Sequence, residues 1–192
     1  MKILIFATNN KHKIEEASHI LKEKYNIVSL ADKGFTQDIP ETEPTLEGNA
    51  SLKAWHIYNH FNQDCFADDT GLEVEALDGA PGVFSARYAG DNHDFSLNVT
   101  KLLENLKGVD NRKARFRTVI SLIINGKEQQ FEGIVNGKII DDRKGHFGFG
   151  YDPVFVPDGF DITMAEMPPE LKNEISHRAR ALHSMAEFLK IY

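Results

Sequence analysis

Apolar positions along this chain change their spacing from segment to segment, and the spacing predicts the elements. Ile3 to Ala7 is an unbroken apolar run rich in β-branched residues, the pattern of a buried strand. It stops at Thr8-Asn9-Asn10, after which Ile14, Ala17, Leu21 and Tyr25 fall at helical intervals with Lys and Glu on the other face. Tyr25 to Leu30 predicts a second short strand. Strand, tight loop, helix and strand in that order read as a parallel βαβ unit.

From Ala31 to Pro44 the chain is polar and broken by Gly34, Pro40 and Pro44, which predicts a loop. Leu46, Ala50, Ala54, Ile57 and Phe61 then mark one face of a second helix. Asp64 to Ala67 reads as a strand running into Asp68-Asp69-Thr70-Gly71. Residues 78 to 93 carry Gly79, Pro81, Gly82 and Gly90 and read as irregular; Phe95, Val99, Leu102 and Leu106 mark a third helix. Arg115 to Ile124 and Glu128 to Val135 are strand-like runs around Asn125-Gly126-Lys127, a strong hairpin signal. A Gly- and aromatic-rich stretch, His146 to Pro153, leads to a short strand through Val156. A last helix carries Ile175, Ala179, Leu182, Met185 and Leu189 on its inner face. There is no repeat and no linker, so the expectation is one α/β domain over residues 1–192, with a mixed central sheet flanked by helices and a hairpin-bearing second lobe.

Composition narrows the classes of function. With 192 residues, 41% apolar and 27% charged, the chain can bury a substantial core. Its net charge of −7 argues against a phosphate-backbone partner, so no nucleic acid is expected. An acidic protein that handles polyphosphate needs a local basic patch or a divalent cation. Cys65 is the single cysteine, which excludes an intrachain disulfide and reads as a small core residue. The opening apolar run is too short for a signal peptide, and no stretch reaches the roughly 20 apolar residues of a membrane span. A cytoplasmic protein without a membrane partner is the expectation.

Five segments could carry chemistry. Thr8, Asn9, Asn10, Lys11, His12 and Lys13 join the first strand to the first helix, where unpaired N–H groups and the helix dipole favour an anion. The same residues also make an ordinary capped helix with solvated lysines, and Asn9 suits a left-handed turn. Asp68 and Asp69 lie where a strand ends, a usual place for ligands in an open α/β sheet. Strand neighbours point to opposite faces, so both carboxylates share one site only if the chain turns, for which Gly71 is suited. One could hold a hard cation while the other orients or deprotonates water; the alternative is a pair of turn-forming Asp residues. Glu41 could complete a metal site or be solvated loop surface, and Lys53 lies beside the apolar stripe of its helix, aimed at a cleft or merely snorkelling. Phe149, Gly150, Tyr151 and Asp152 belong to an alternation of glycine and aromatic residues that suits a flat ligand, or an aromatic core beside a turn. Lys172, His177 and Arg178 gather donors near Ser176, a candidate cap for the last helix.

Taken together these segments resemble the noncanonical purine nucleoside triphosphate pyrophosphatases, the inosine triphosphate pyrophosphatase or Ham1-like family. The matching stretches run in order from Ala7 to Arg178: Ala-Thr-Asn-Asn-Lys-His-Lys, Pro-Glu-Thr, Gly-Asn-Ala-Ser-Leu-Lys-Ala, Ala-Asp-Asp-Thr-Gly-Leu, Gly-Ala-Pro-Gly-Val-Phe-Ser-Ala-Arg-Tyr-Ala-Gly, Phe-Gly-Tyr-Asp-Pro-Val-Phe and Ile-Ser-His-Arg. The resemblance implies an elongated two-lobed subunit, a homodimer, and Mg²⁺-dependent hydrolysis of ITP, dITP and XTP to monophosphate and pyrophosphate. It implies that Thr8 to Lys13 hold the triphosphate, that Glu41 and Asp69 serve the metal, and that Asp69 activates water. Asp68 would support them, and Lys53 would neutralise phosphate. Thr70 would keep a hydroxyl contact, and Phe149 to Asp152 would form a base pocket with Lys172, His177 and Arg178. Asn9 stands where the family commonly has glycine. Rival readings are an enzyme of similar architecture acting on pyrimidine or modified nucleotides, and a nucleotide sensor that has lost turnover.

Overall fold

The computed structural model describes residues 1–192. Its strands are β1 (Lys2–Phe6), β2 (Tyr25–Val28), β3 (Cys65–Val74), β4 (Lys113–Ile124), β5 (Lys127–Ile139) and β6 (Phe155–Pro157). Its helices are α1 (Lys11–Leu21), α2 (Leu46–Phe61), α3 (Phe95–Asn105), α4 (Pro169–Ile175) and α5 (His177–Leu189). The strands form one mixed sheet in the order β2-β1-β3-β4-β5-β6. β1 pairs parallel with β2, from Lys2 opposite Tyr25 to Ile5 opposite Val28, and parallel with β3 through Ile5 and Cys65. The opening βαβ unit is therefore present. β6 runs antiparallel to β5. No helix is long and apolar enough to cross a membrane.

The chain falls into two compact units, one of residues 1–69, 118–133 and 178–192, the other of residues 70–117 and 134–177. In the first, Leu4, Ile5 and Phe6 of β1 are all buried because both faces of the strand are covered there. Leu4 and Phe6 pack with Ala17, Leu21, Leu182 and Met185, whereas Ile5 and Ala7 pack with Ala54, Ile57 and Cys65. Burial pushes the Cys65 thiol up to about 12, in keeping with a core residue. The core of the second unit joins Leu72, Val74, Val99, Leu102, Phe116, Tyr151, Phe155, Met164 and Met167.

The β4–β5 turn is the one its sequence predicts: Asn125 and Gly126 both have positive φ, 50° and 72°, as a two-residue type I′ hairpin requires. Three readings change. β3 does not turn at Asp68-Asp69-Thr70-Gly71 but continues to Val74. Gly71 is there for close approach, since a Cβ would fall 2.6 Å from the Gly82 carbonyl oxygen. Phe95, although in phase with Val99 and Leu102, is 46% exposed. The last helical stretch is interrupted at Ser176, whose extended backbone (ψ 150°) separates α4 from α5.

Candidate functional site

In the first unit, the corner between β1 and α1 is held by its own side chains. The Asn10 side chain accepts from the Lys13 N–H at 3.3 Å, capping α1, and Thr8 Oγ1 accepts from the Asn10 N–H at 3.2 Å. Asn9 is not left-handed: its Oδ1 instead accepts from the Ala31 N–H at 2.8 Å, tying the corner to the next loop. Lys11 and His12 are exposed, and His12 lies 3.9 Å from Glu15. Their N–H groups, at the first two positions of α1, lie outside the helix's own hydrogen bonding and face the dipole's positive end.

One turn in, Lys13 turns back over the sheet. Its ammonium donates to Asp68 Oδ1 at 2.8 Å, and Arg178 Nε donates to Asp68 Oδ2 at 3.0 Å. Arg178 also reaches Glu16 at 3.4 Å. Burial alone would raise the Asp68 carboxyl, but Lys13 and Arg178 outweigh it and hold the group well below the usual carboxylate range. Lys13 is itself lowered, by burial first and also by Arg178 and Lys53, although Asp68 opposes the change. Glu16 is the residue that sequence reasoning missed; its signal is its position three residues after Lys13, on the same face of α1.

Asp69 belongs to a different set of contacts, because β3 stays extended and neighbouring residues take opposite faces. The Lys53 ammonium donates to Glu41 Oε1 at 2.6 Å and lies 3.4 Å from Asp69 Oδ1. Lys53 thus sits between two carboxylates, and despite its burial Asp69, Glu41 and Asp68 raise it. Burial raises Asp69, Lys53 opposes this, and the like charges of Glu41 and Asp68 add to the rise. The two clusters hold three cations, Lys13, Lys53 and Arg178, against four carboxylates, Glu16, Glu41, Asp68 and Asp69. Such a set does not attract a polyphosphate by itself.

Asp69 Oδ2 is buried, and the Asn49 side-chain amide is the hydrogen-bonding neighbour of this carboxylate. No group of three or more His, Cys, Asp or Glu side chains is assembled to hold a metal. Mg²⁺ keeps several waters and is bound through one or two carboxylates plus substrate phosphates. The pair Glu41 and Asp69 fits this donor chemistry.

In the second unit, Asp152 is the organiser. It is buried, accepts from the Phe149 N–H at 2.9 Å and pairs with the Lys172 ammonium. Lys172 Nζ also stands 5.4 Å from the centre of the Phe149 ring, which is 41% exposed. Gly148 and Gly150 both have positive φ, 77° and 65°, which lets the loop fold around the Asp152 carboxylate. Tyr151 is only 4% exposed and its hydroxyl donates to the Ser85 carbonyl at 2.8 Å, so it is a core anchor and not a free stacking surface. His177 stacks on Phe116, with ring centroids 5.0 Å apart and planes inclined by 23°. Thr70 is half-buried on β3. The neighbours His177 and Arg178 part company at the start of α5: Arg178 joins Asp68 and Glu16, not Lys172 and Asp152.

The chain is similar to known proteins along almost its whole length. The model of the Ham1 family matches residues 4–188. A curated relative from Porphyromonas gingivalis, named dITP/XTP pyrophosphatase, is 55% identical over 190 residues, 98% of each chain. The solved structure of the Staphylococcus aureus Ham1 protein is 39% identical, covers 98% of both chains and superposes with a TM-score of 0.92. A HAM1 protein from Coxiella burnetii, 35% identical over the full length of both chains, gives 0.94.

Proposed function

The chain belongs to the Ham1 family, and on that premise we propose that it is a nucleoside triphosphate pyrophosphatase acting on ITP, dITP and XTP, releasing the monophosphate and pyrophosphate and so clearing deaminated purines from the nucleotide pool. The observation that carries the reading is the Lys53 ammonium set between Glu41 and the buried Asp69 carboxylate.

The triphosphate is assigned to the first turn of α1, where the N–H groups of Lys11 and His12 meet anionic oxygens. Thr8, Asn9 and Asn10 shape that corner. Glu41 and Asp69 would hold Mg²⁺, which when bound supplies the positive charge that the protein cluster lacks. Lys53 fixes Asp69 through Oδ1, leaving Oδ2 to take a proton from water as the water oxygen bonds to the α-phosphorus. The bond from that phosphorus to the bridging oxygen breaks, and pyrophosphate leaves with the electron pair. Its growing charge is met by Lys53 and Lys13. Asp68, with Arg178, keeps Lys13 in place.

The base is assigned to Phe149 with Gly150, Asp152 and Lys172; Tyr151 and His177 support them from the core. The Lys172 ammonium is a donor for a 6-oxo group. Lys172 stays paired with Asp152, but adenine's 6-amino group would leave the N–H aimed at the base without an acceptor, at a cost of about 1–3 kcal/mol. Thr70 adds a hydroxyl on β3. The chain would work as one catalytic domain over residues 1–192 and as a homodimer; the net charge of −7 supports the lack of a nucleic-acid partner, and the single buried thiol supports a cytoplasmic setting without a membrane partner. Light scattering on the purified protein tests the dimer.

The test of the activity is incubation with ITP, dITP, XTP, ATP and GTP plus Mg²⁺, with pyrophosphate and orthophosphate assayed separately. Pyrophosphate release confined largely to the first three is expected. Orthophosphate release, or equal turnover of ATP and GTP, would overturn the reading of bond or base.

A further inference from the structure

A surface-exposed aromatic side chain on α3 remains unexplained by the fold. Phe95 keeps helical phase with Val99 and Leu102, which are buried, yet it stays 46% exposed. Leaving that much of a large apolar ring in water forgoes burial that the adjacent core could provide. Its neighbour accounts for it. The Phe95 ring lies 5.9 Å from that of Phe149, tilted by 45°, within the range of favourable aromatic pairs. Two half-exposed rings from separate elements thus make one aromatic surface. The loop that carries Phe149 is fastened to the same turn of α3 a second time: the Arg143 guanidinium donates to the Ser96 carbonyl at 2.8 Å and to Thr100 Oγ1 at 2.7 Å.

We propose that Phe95 is a positioning residue for base recognition: it braces the Phe149 ring in the orientation that stacks on the purine, with Arg143 fastening the loop to α3. The inference rests on the assignment of Phe149 to the base. From the other elements, Phe149 meets the Lys172 ammonium and has its N–H held by Asp152. The backbone end of the residue is therefore fixed by Asp152. The ring has a cation at 5.4 Å, and Phe95 is its one aromatic neighbour. Removing Phe95 frees the ring to rotate without touching the groups assigned to bond cleavage, so binding suffers and the chemical step does not.

Steady-state kinetics on ITP with Mg²⁺ test this in Phe95→Ala, Phe95→Tyr and Phe149→Ala. Phe95→Ala should raise KM about three- to tenfold with kcat within about twofold, the scale of a lost aromatic pair. Phe95→Tyr keeps the ring and should restore KM. A purely structural role for Phe95 would lower the melting temperature without this split and without ring-specific rescue. If Phe149→Ala raises KM and Phe95→Ala does not, the brace is refuted while the base assignment stands. If neither moves KM, the base assignment falls and the brace with it. Should Phe95→Ala fail to fold, Phe95→Leu keeps the apolar volume without the ring and reads the same split.

Discussion

Each unit builds a cluster around a lysine held by carboxylate, and the two are built by opposite means. In the first unit Asp68 draws Lys13 from α1 and Arg178 from α5, the latter 110 residues away in sequence, and every member is largely buried. In the second unit Asp152 and Lys172 are 20 residues apart, Asp152 closes a glycine-rich loop, and the ring they organise is 41% exposed. Charges buried together can neither reorient nor be screened, which suits groups that must meet a reacting phosphorus in one geometry. A half-exposed ring on a loop is suited to covering a flat ligand, where contact area matters more than a fixed angle of attack. On this contrast, damage to the first cluster lowers kcat or stability, and damage to the second raises KM.

The largest expected effect is on catalysis. Asp69→Asn keeps the volume and the Lys53 contact but removes the proton acceptor, and should lower kcat on ITP by about 10²–10⁴-fold. Stability should not fall with it. A carboxyl raised above its unfolded value stabilises the fold below the ordinary carboxylate range and loses that contribution as pH rises, so at pH 7 the Asp69 charge opposes folding. A melting temperature at pH 7 equal to or above wild type, beside lost turnover, is the expected pair of results. A large drop in melting temperature would make Asp69 a structural residue.

Its neighbour should behave in reverse. Asp68→Asn leaves Lys13 and Arg178 buried without their shared counter-charge, at a cost of about 3–5 kcal/mol. For a chain of this size that corresponds to a melting temperature lower by roughly 6–20 °C. The depressed carboxyl contributes stability that is present above the ordinary carboxylate range and is lost as pH falls, so the gap between wild type and variant should narrow in acid. Equal melting temperatures at pH 7 would break the idea that this cluster is held by charge.

How much of this was legible in the sequence follows from the range of the interactions. The βαβ opening and the Asn125-Gly126 hairpin rest on local signals, and both are present. For Asp68 and Asp69 to share one site the chain would have to turn, and the Gly of Asp-Asp-Thr-Gly suits a turn, but β3 stays extended and parts them. What Gly71 provides is room for the Gly82 backbone, a contact that only the folded chain defines. Tyr151 and Phe149 carry the same aromatic signal two residues apart, and only the Ser85 carbonyl explains why one is buried and the other is not. Likewise nothing local tells His177 from Arg178; the break at Ser176 starts α5 so that they diverge.

The smallest expected effect tests the second cluster where it is tightest. Gly148 has φ of 77°, and a Cβ there would overlap the Asp152 carboxylate and lie 2.6 Å from the Lys172 ammonium. Gly148→Ala therefore carries backbone strain of about 1–3 kcal/mol and also pushes apart the pair that organises Phe149. Because the loop is exposed, much of that strain can be relieved by local movement, so the fold should hold and binding should change. KM for ITP should rise about tenfold while kcat stays near wild type, in line with lost ground-state binding. A fall in kcat with KM unchanged would place this loop in the chemical step and dissolve the division of labour between the two clusters.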